Sequence, residues 1–385
     1  MVSSSHHSLD PPSSTILEAY FFSSPRIGKG SLSILRKDLM ISSRINLKSF
    51  TREGLKDLIT SLGWKTYRAD QIFQWLWQKG SIEFDGMTNL AQRYRAELKR
   101  RFRIGQMKVC KQIPAQDGSV KYLFQLEDGV GIESVYMPEP SRRSVCVSVQ
   151  VGCPLHCHFC ATGRSGFIRN LRAWEIADQV VTIQRLEGVR ISHVVFMGMG
   201  EPMLNLDEVL KSVEILNDDL GPNIGARRMT ISTAGIPEGI IRLIHFPLPI
   251  KLAVSLNAAT DRIRSLLMPI NRRYPIRKVI AALHRYVAMT NRMVTIEYVM
   301  FQGLNTTKEE GLRLIRLVKK LKCKINLIPY NPIDGCDLLP PEEDEMMSFY
   351  ELLRTAHKTV TIRKSRGKDV EAGCGQLRSR PLSVS

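Results

Sequence analysis

The chain has 385 residues, 43% of them hydrophobic, and no apolar run reaches the ~18 residues that a membrane span needs. No secretory signal is evident, and the eight cysteines lack the regular spacing of a disulfide frame, so their clustering points to metal or redox work in a reducing compartment. A formal charge of +18 argues for a polyanionic partner, nucleic acid first and a membrane surface second, because neutralised phosphates supply affinity whatever the sequence.

Residues 1–45 read as an extension. Arg26, Lys29, Arg36, Lys37 and Arg44 lie among serines and prolines, a composition that fits a disordered tail, a targeting segment or an upstream start ahead of Met40. Residues 46–105 read as a small helical accessory domain. Thr51 is a candidate N-cap, with Glu53 in the first turn ahead of Leu55, Leu58 and Ile59. Ile72, Phe73, Leu76 and Trp77 give a second helix its apolar face, and Gly80 follows as a stop. A third, basic helix is expected from about Leu90 to Phe102.

Residues 106–143 read as a β-rich extension: Tyr122, Phe124 and Leu126 alternate, and Asp128-Gly129 offers a hairpin turn. Strands are expected over Val130–Met137 and Val145–Val149, the second running into a cysteine-rich loop. Beyond it, strand signals at His193–Met197, Met229–Ile231, Leu252–Ser255, Thr295–Val299 and Lys324–Ile328 alternate with helical ones. The helices are expected at Ala173–Gln184, Asp207–Leu216, Gly239–Ile244, Ile276–Met289 and Lys308–Leu321. Six βα-like units over residues 144–380 imply an α/β fold, a partial (β/α)6 barrel with its functional residues at the C-terminal ends of the strands.

The loop holds Cys153, Cys157 and Cys160 in the order C-x-x-x-C-x-x-C. Three thiolates this close can hold three irons of a [4Fe–4S] cluster and leave the fourth open to an amine and carboxylate chelate. Zinc is the bland alternative, with His156 and His158 inside the motif, but zinc sites usually pair one C-x-x-C with another. Gly200 and Glu201 follow the second barrel strand, where glycine permits close backbone approach and Glu201 can accept from an ammonium. Ser232, Ser255 and Asn331 stand at or beyond strand ends, as turn and cap residues also do. Cys374 lies between glycines and is accessible enough for a nucleophile, whereas Cys146, within a strand, reads as core.

Together, the cysteine motif, Gly166-Phe167-x-Arg169-Asn170-Leu171, Phe196 to Pro202, Arg228 to Thr233, Met268 to Asn271, Ile325 to Pro329 and Cys374 to Leu377 resemble the RlmN/Cfr family of radical-SAM RNA adenine methyltransferases. The resemblance spans about residues 50–380 and is nearest to the adenine C2 branch. It implies one [4Fe–4S] cluster on Cys153, Cys157 and Cys160, and an S-adenosylmethionine (SAM) site lined by Gly200, Glu201, Ser232, Ser255, Leu256, Asn257 and Asn331. It further implies Cys374 as methyl carrier, Cys146 as the thiol that resolves it through a disulfide, and Glu133 as general base, with two SAM consumed per turnover. Ribosomal RNA and transfer RNA would be the substrates, an electron donor such as flavodoxin or ferredoxin the redox partner, and the protein a cytoplasmic monomer without membrane contact. Organellar import follows only if residues 1–45 are a transit peptide. The rivals are methylation at adenine C8 and a non-catalytic iron–sulfur RNA-binding protein. Where many relatives have Ser-Leu-His, this chain has Ser255-Leu256-Asn257, and asparagine can bind but cannot titrate. Arg227-Arg228, Arg272-Arg273 and the run from Arg363 to Lys368 are candidate phosphate grips.

Overall fold

The computed structural model describes residues 44–378. The expected extension, apart from its last two residues, lies outside that range, as does the Met40 start.

The first strand, β1 (Ile45–Asn46), leads into helix α1 (Arg52–Ser61). Thr51 caps it, its hydroxyl accepting from Gly54 N at 3.3 Å, and Leu55, Leu58 and Ile59 turn inward. Helix α2 (Tyr67–Trp77) buries Ala69, Ile72, Phe73, Leu76 and Trp77 on one face. Helix α3 (Gln92–Arg101) buries only Leu98 and ends in Lys99, Arg100 and Arg101, cations that suit a helix C-terminus. It is shorter than expected because Phe102 already belongs to β2 (Phe102–Arg103), which pairs in parallel with β1. The helical region is fastened to the rest of the molecule by charge. Lys48 Nζ lies 2.6 Å from Asp178 in a buried pair, and Arg52 reaches Asp70, Asp218 and Asp219.

Strands β3 (Lys108–Pro114), β4 (Val120–Gln125), β5 (Gly131–Glu139) and β6 (Arg142–Cys146) form an antiparallel meander. The cysteine loop is stapled by a small antiparallel pair, β7 (Gln150–Gly152) and β8 (Phe167–Asn170), with the one-turn helix α4 (Ala161–Arg164) between them. Then come α5 (Ala173–Glu187), β9 (His193–Phe196), α6 (Leu206–Asn217), β10 (Met229–Thr233), α7 (Pro237–Arg242) and β11 (Lys251–Ser255). Helices α8 (Asp261–Leu267) and α9 (Ile276–Thr290), β12 (Val294–Met300), α10 (Lys308–Val318), β13 (Cys323–Pro329), α11 (Glu343–Arg354) and β14 (Val360–Ile362) complete the order.

One ten-stranded sheet runs β14-β13-β12-β11-β10-β9-β6-β5-β4-β3. From β6 to β14 neighbours are parallel, with helices crossing between them, so the expected α/β core is present with its N-terminal helices and its β-extension. Strand β6 joins the two regimes, antiparallel to β5 and parallel to β9. A short seventh parallel strand, β14, adds to the six expected.

Two boundaries moved for physical reasons. The strand expected over Val145–Val149 ends at Cys146. Beyond it Val147 O accepts from Gly198 N (3.0 Å) and Ser148 Oγ from Met199 N (3.0 Å), so the chain follows the turn after β9 irregularly. Cys146 therefore stands at a strand's C-terminal end and not within it. The helix expected from Gly239 begins at Pro237, whose fixed φ and missing N–H suit a first helical position.

Candidate active site

A cavity opens at the C-terminal ends of the parallel strands, and each strand end delivers a residue to it. β6 brings Cys146, the turn after β9 brings Gly198, Gly200 and Glu201, β10 brings Ser232, and β11 with its following loop brings Ser255 and Asn257. β12 contributes Glu297 and Val299, the segment after β13 Tyr330 and Asn331, and the residue after β14 is Arg363. Cys153, Cys157 and Cys160 enter from the stapled loop, Cys374 from the C-terminal segment, and Val135 and Met137 from β5.

The loop's shape depends on glycine. Gly152 has φ +75°, and a Cβ there would stand 1.9 Å from Gly166 O, the acceptor for Cys153 N at 2.8 Å. After β9, a Cβ on Gly198 would lie 2.7 Å from Val147 O, and one on Gly200 2.5 Å from the Gln150 side chain. These glycines allow the chain to approach itself as well as to face the cavity, where Gln150 Oε1 accepts from Glu201 N at 2.8 Å.

Glu201 is buried. Its carboxylate accepts from Met203 N (3.0 Å) and Ala234 N (2.7 Å), and burial raises its pKa against those bonds. Asn257 sits at φ +59°, a left-handed conformation that asparagine tolerates better than most residues. Its Oδ1 accepts from Val299 N at 2.9 Å, which makes it a buried structural anchor at the cavity wall. Asn331 donates from Nδ2 to Cys374 O at 3.2 Å, while its buried Oδ1 has no protein partner.

All eight cysteines are free thiols. Burial pushes Cys146 and Cys153 up to about 12, and raises Cys157 and Cys160 as well. Any metal held by the loop thiols would have to displace their protons. Among the described residues no three His, Cys, Asp or Glu side chains converge on a single ion. Three thiols spread around one cavity, with the unpartnered Asn331 oxygen beside them, fit a multi-iron cluster and a polar ligand better than one zinc. His156 turns its Nδ1 to Gly163 O (3.2 Å), and His158 is exposed.

Cys146 and Cys374 line the same cavity, and after burial the Cys374 charge raises the Cys146 thiol further. Arg363 stands with them. The Cys374 thiol, ahead of Glu297 and Cys146, raises its guanidinium. Arg363, one of the run read as a candidate phosphate grip, is thus turned inward to the thiols. Glu297 accepts from Asn326 Nδ2 at 3.2 Å and leaves Oε2 without a partner.

Two expected site residues stand elsewhere. Leu256 is fully buried and gives only its backbone, N to Glu297 O (3.0 Å) and O from Arg264 Nε (3.1 Å). Its side chain packs in the core and does not line the cavity. Glu133, buried on β5, accepts from Arg378 N at 3.0 Å and lies 3.7 Å from Lys121 Nζ, beside the C-terminal segment and off the cavity wall. Sequence reasoning missed Glu297 and Arg363. A carboxylate in the otherwise apolar strand β12 was the available signal for the first.

Comparison with known proteins agrees with this geometry. The profile for the ribosomal RNA large subunit methyltransferase N-terminal domain matches residues 45–104, and that for the radical SAM superfamily matches 147–318. A Thermotoga neapolitana protein described as "Probable dual-specificity RNA methyltransferase RlmN" is 45% identical over 86% of this chain and 97% of its own length. The "Dual-specificity RNA methyltransferase RlmN" of Geotalea uraniireducens is 42% identical over 88% of this chain and 97% of its own. The crystal structure of a radical SAM methyltransferase from Sphaerobacter thermophilus superposes with a TM-score of 0.83 at 42% identity, covering 87% of this chain and 99% of that one. The chain belongs to the RlmN family of radical SAM dual-specificity RNA methyltransferases.

Proposed function

We propose that this enzyme methylates C2 of an adenine in ribosomal RNA, and of an adenosine beside the anticodon of transfer RNA, through a methyl group carried on Cys374. The observation that carries the reading is the shared cavity: a thiol on the C-terminal segment, a second thiol at the end of β6, and three loop thiols all face one space. Adenine C2, between two ring nitrogens, is too electron-poor to take a methyl group by simple displacement. Cys153, Cys157 and Cys160 would hold one [4Fe–4S] cluster, and Gly200, Glu201, Ser232, Ser255, Asn257 and Asn331 would receive SAM. Together these groups supply hydrogen abstraction from an unactivated methyl group, with two SAM used per product.

The chain's own residues do the rest. Cys374 attacks the methyl of the first SAM as a thiolate, S-adenosylhomocysteine leaves, and the methyl is held as a thioether, with Arg363 lining the same cavity. Asn331, bonded to Cys374 O, fixes the carrier's backbone. Once carbon joins C2, Glu133 takes the C2 proton, which requires the segment around Arg378 to release its carboxylate. Cys146 then attacks the Cys374 sulfur, forming the S–S bond as the carbon–sulfur bond breaks. The target base must be unstacked to enter. The electron donor would be a flavodoxin or ferredoxin, and the enzyme a cytoplasmic monomer. Among the described residues no helix is long and apolar enough to cross a membrane.

The test is nucleoside mass spectrometry of RNA treated with the reconstituted enzyme. 2-Methyladenosine from wild type and none from Cys374→Ser supports the reading. 8-Methyladenosine overturns the C2 assignment. Unmodified RNA beside an unmethylated Cys374 overturns the carrier mechanism.

A further inference from the structure

The cavity that holds the thiols does not end at them. Side chains two apart on a strand share a face, so each inward row can be followed back from the active site to the other end of the sheet. Cys146 leads back through Ser144 to Arg142, Ser232 through Thr230 to Arg228, and Ser255 to Lys251. On β13, Ile328 leads back through Asn326 to Lys324. These four cations line a second basin at the N-terminal ends of the strands. The two basins adjoin, sharing Met137, Met197, Glu297, Arg363 and Arg366 as walls.

The basin carries unneutralised charge. Among the described residues no carboxylate lies within ion-pair distance of Arg142, Arg228, Lys251 or Lys324. Two carboxylates also face the basin: Glu139 is engaged by Arg366 at 3.6 Å, and Glu297 feels the charges of Arg363 and Lys324. The cations feel one another: after burial, Lys324 and then Arg142 lower the Lys251 ammonium, and Arg142, Arg228 and Lys251 hold down His193. A folded protein gathers four such charges at an energetic cost, and an anion would offset it. At the other end, Ala161 N donates to Gly375 O at 2.7 Å and ties the cysteine loop to the C-terminal segment.

We propose that this basin seats phosphates of the RNA flanking the target nucleotide, and that the base reaches Cys374 through the barrel lumen from the N-terminal ends of the strands. The proposal rests on the RNA-methylating reading above. Four residue steps along the strand lead from Lys251 to Ser255, about 13 Å at ~3.3 Å per residue, a span that a nucleotide and the lysine side chain can bridge between them.

Two measurements test it. In the wild-type holoenzyme, acylation of lysines read by mass spectrometry should show Lys251 and Lys324 protected at least tenfold by substrate RNA, with the exposed Lys319 and Lys320 unprotected. The Lys251→Gln, Lys324→Gln double variant should raise the KM for RNA while kcat stays within about threefold and Cys374 stays methylated on isolation. Its log Kd against log salt slope should fall by about 1.4, since each single-strand phosphate left unneutralised removes ~0.7. A Lys319→Gln, Lys320→Gln variant, at the exposed end of α10, is the comparison and should leave that slope unchanged. Equal labelling of Lys251 and Lys324 with and without RNA, or a double variant that binds and turns over as wild type does, overturns the proposal. Protection by inorganic phosphate alone, without protection by RNA, makes the basin a small-anion site and also overturns it. Failure of the wild type to methylate RNA would instead overturn the underlying reading, so the two failures are distinguishable.

Discussion

Replacing Gly152 by alanine should damage the cysteine loop far more than the same change at Gly166, although both sit at nearly the same φ, +75° and +78°. The shared penalty is the left-handed backbone, roughly 1–2 kcal/mol for a residue with a Cβ, less about 0.4–1 kcal/mol regained from the stiffer unfolded chain. Gly166 has no atom within 4 Å of a built Cβ, so its cost ends there, at about 1 kcal/mol. At Gly152 the Cβ would meet Gly166 O at 1.9 Å and push away the acceptor of Cys153 N. The lost hydrogen bond adds about 1 kcal/mol and the enforced backbone shift about 1–3 kcal/mol, for a total near ~4 kcal/mol. A chain of this length shifts by roughly 1.3 °C per kcal/mol, so thermal unfolding of the metal-free proteins should drop by about 5 °C for Gly152→Ala and about 1 °C for Gly166→Ala. Iron bound after reconstitution should fall for the first and hold for the second. Equal shifts and equal iron in the two variants would refute the steric reasoning.

Cys146→Ala should leave Cys374 methylation intact and trap the protein–RNA adduct, seen as a band that resists denaturation on a gel. Release of product at the wild-type rate would remove Cys146 from the resolving role. Lys48→Ala strands the buried Asp178 carboxylate and should cost about 3–5 kcal/mol in urea unfolding, whereas pairing Lys48→Met with Asp178→Leu should recover much of it. Burial holds the Cys323 thiol at about 11, so above the ordinary thiol range near ~8.5 the folded chain keeps a proton that the unfolded chain loses. Stability should therefore fall as pH rises from about 9 to 11. Cys323→Val should flatten that part of the decline, read from urea midpoints across the range.

The cysteine loop was legible because its chemistry is written in local spacing, and the alternating strands and helices because their periods are local too. Residues whose roles come from strand parity were not. Arg363 looked like one member of a basic surface run, and only its place just after β14 turns it towards two thiols. Glu297 sat unnoticed among apolar neighbours for the same reason. β3 was missed because it is an exposed edge strand rich in lysine, the composition that discourages further pairing and hides the alternation. Leu256 follows the other rule: a resemblance places it beside a ligand, but its alternation with Ser255 sends the side chain into the core. The glycines after β9 were read as room for a ligand, and half of that room is occupied by the chain itself.

The tie between the cysteine loop and the carrier segment also sets an order of assembly. The Thr162 hydroxyl donates to Leu377 O across 215 residues of chain. At a synthesis rate of ~5–20 residues per second, the three loop thiols exist for roughly 10–40 s before their roof has been made. During that interval the barrel strands between them are still being laid down, and the pocket is open to whatever delivers iron and sulfide. Once the last segment docks, Thr162 is bonded to it and Cys374 stands over the same cavity as the loop thiols. Loading of those thiols would therefore be easiest on the growing chain.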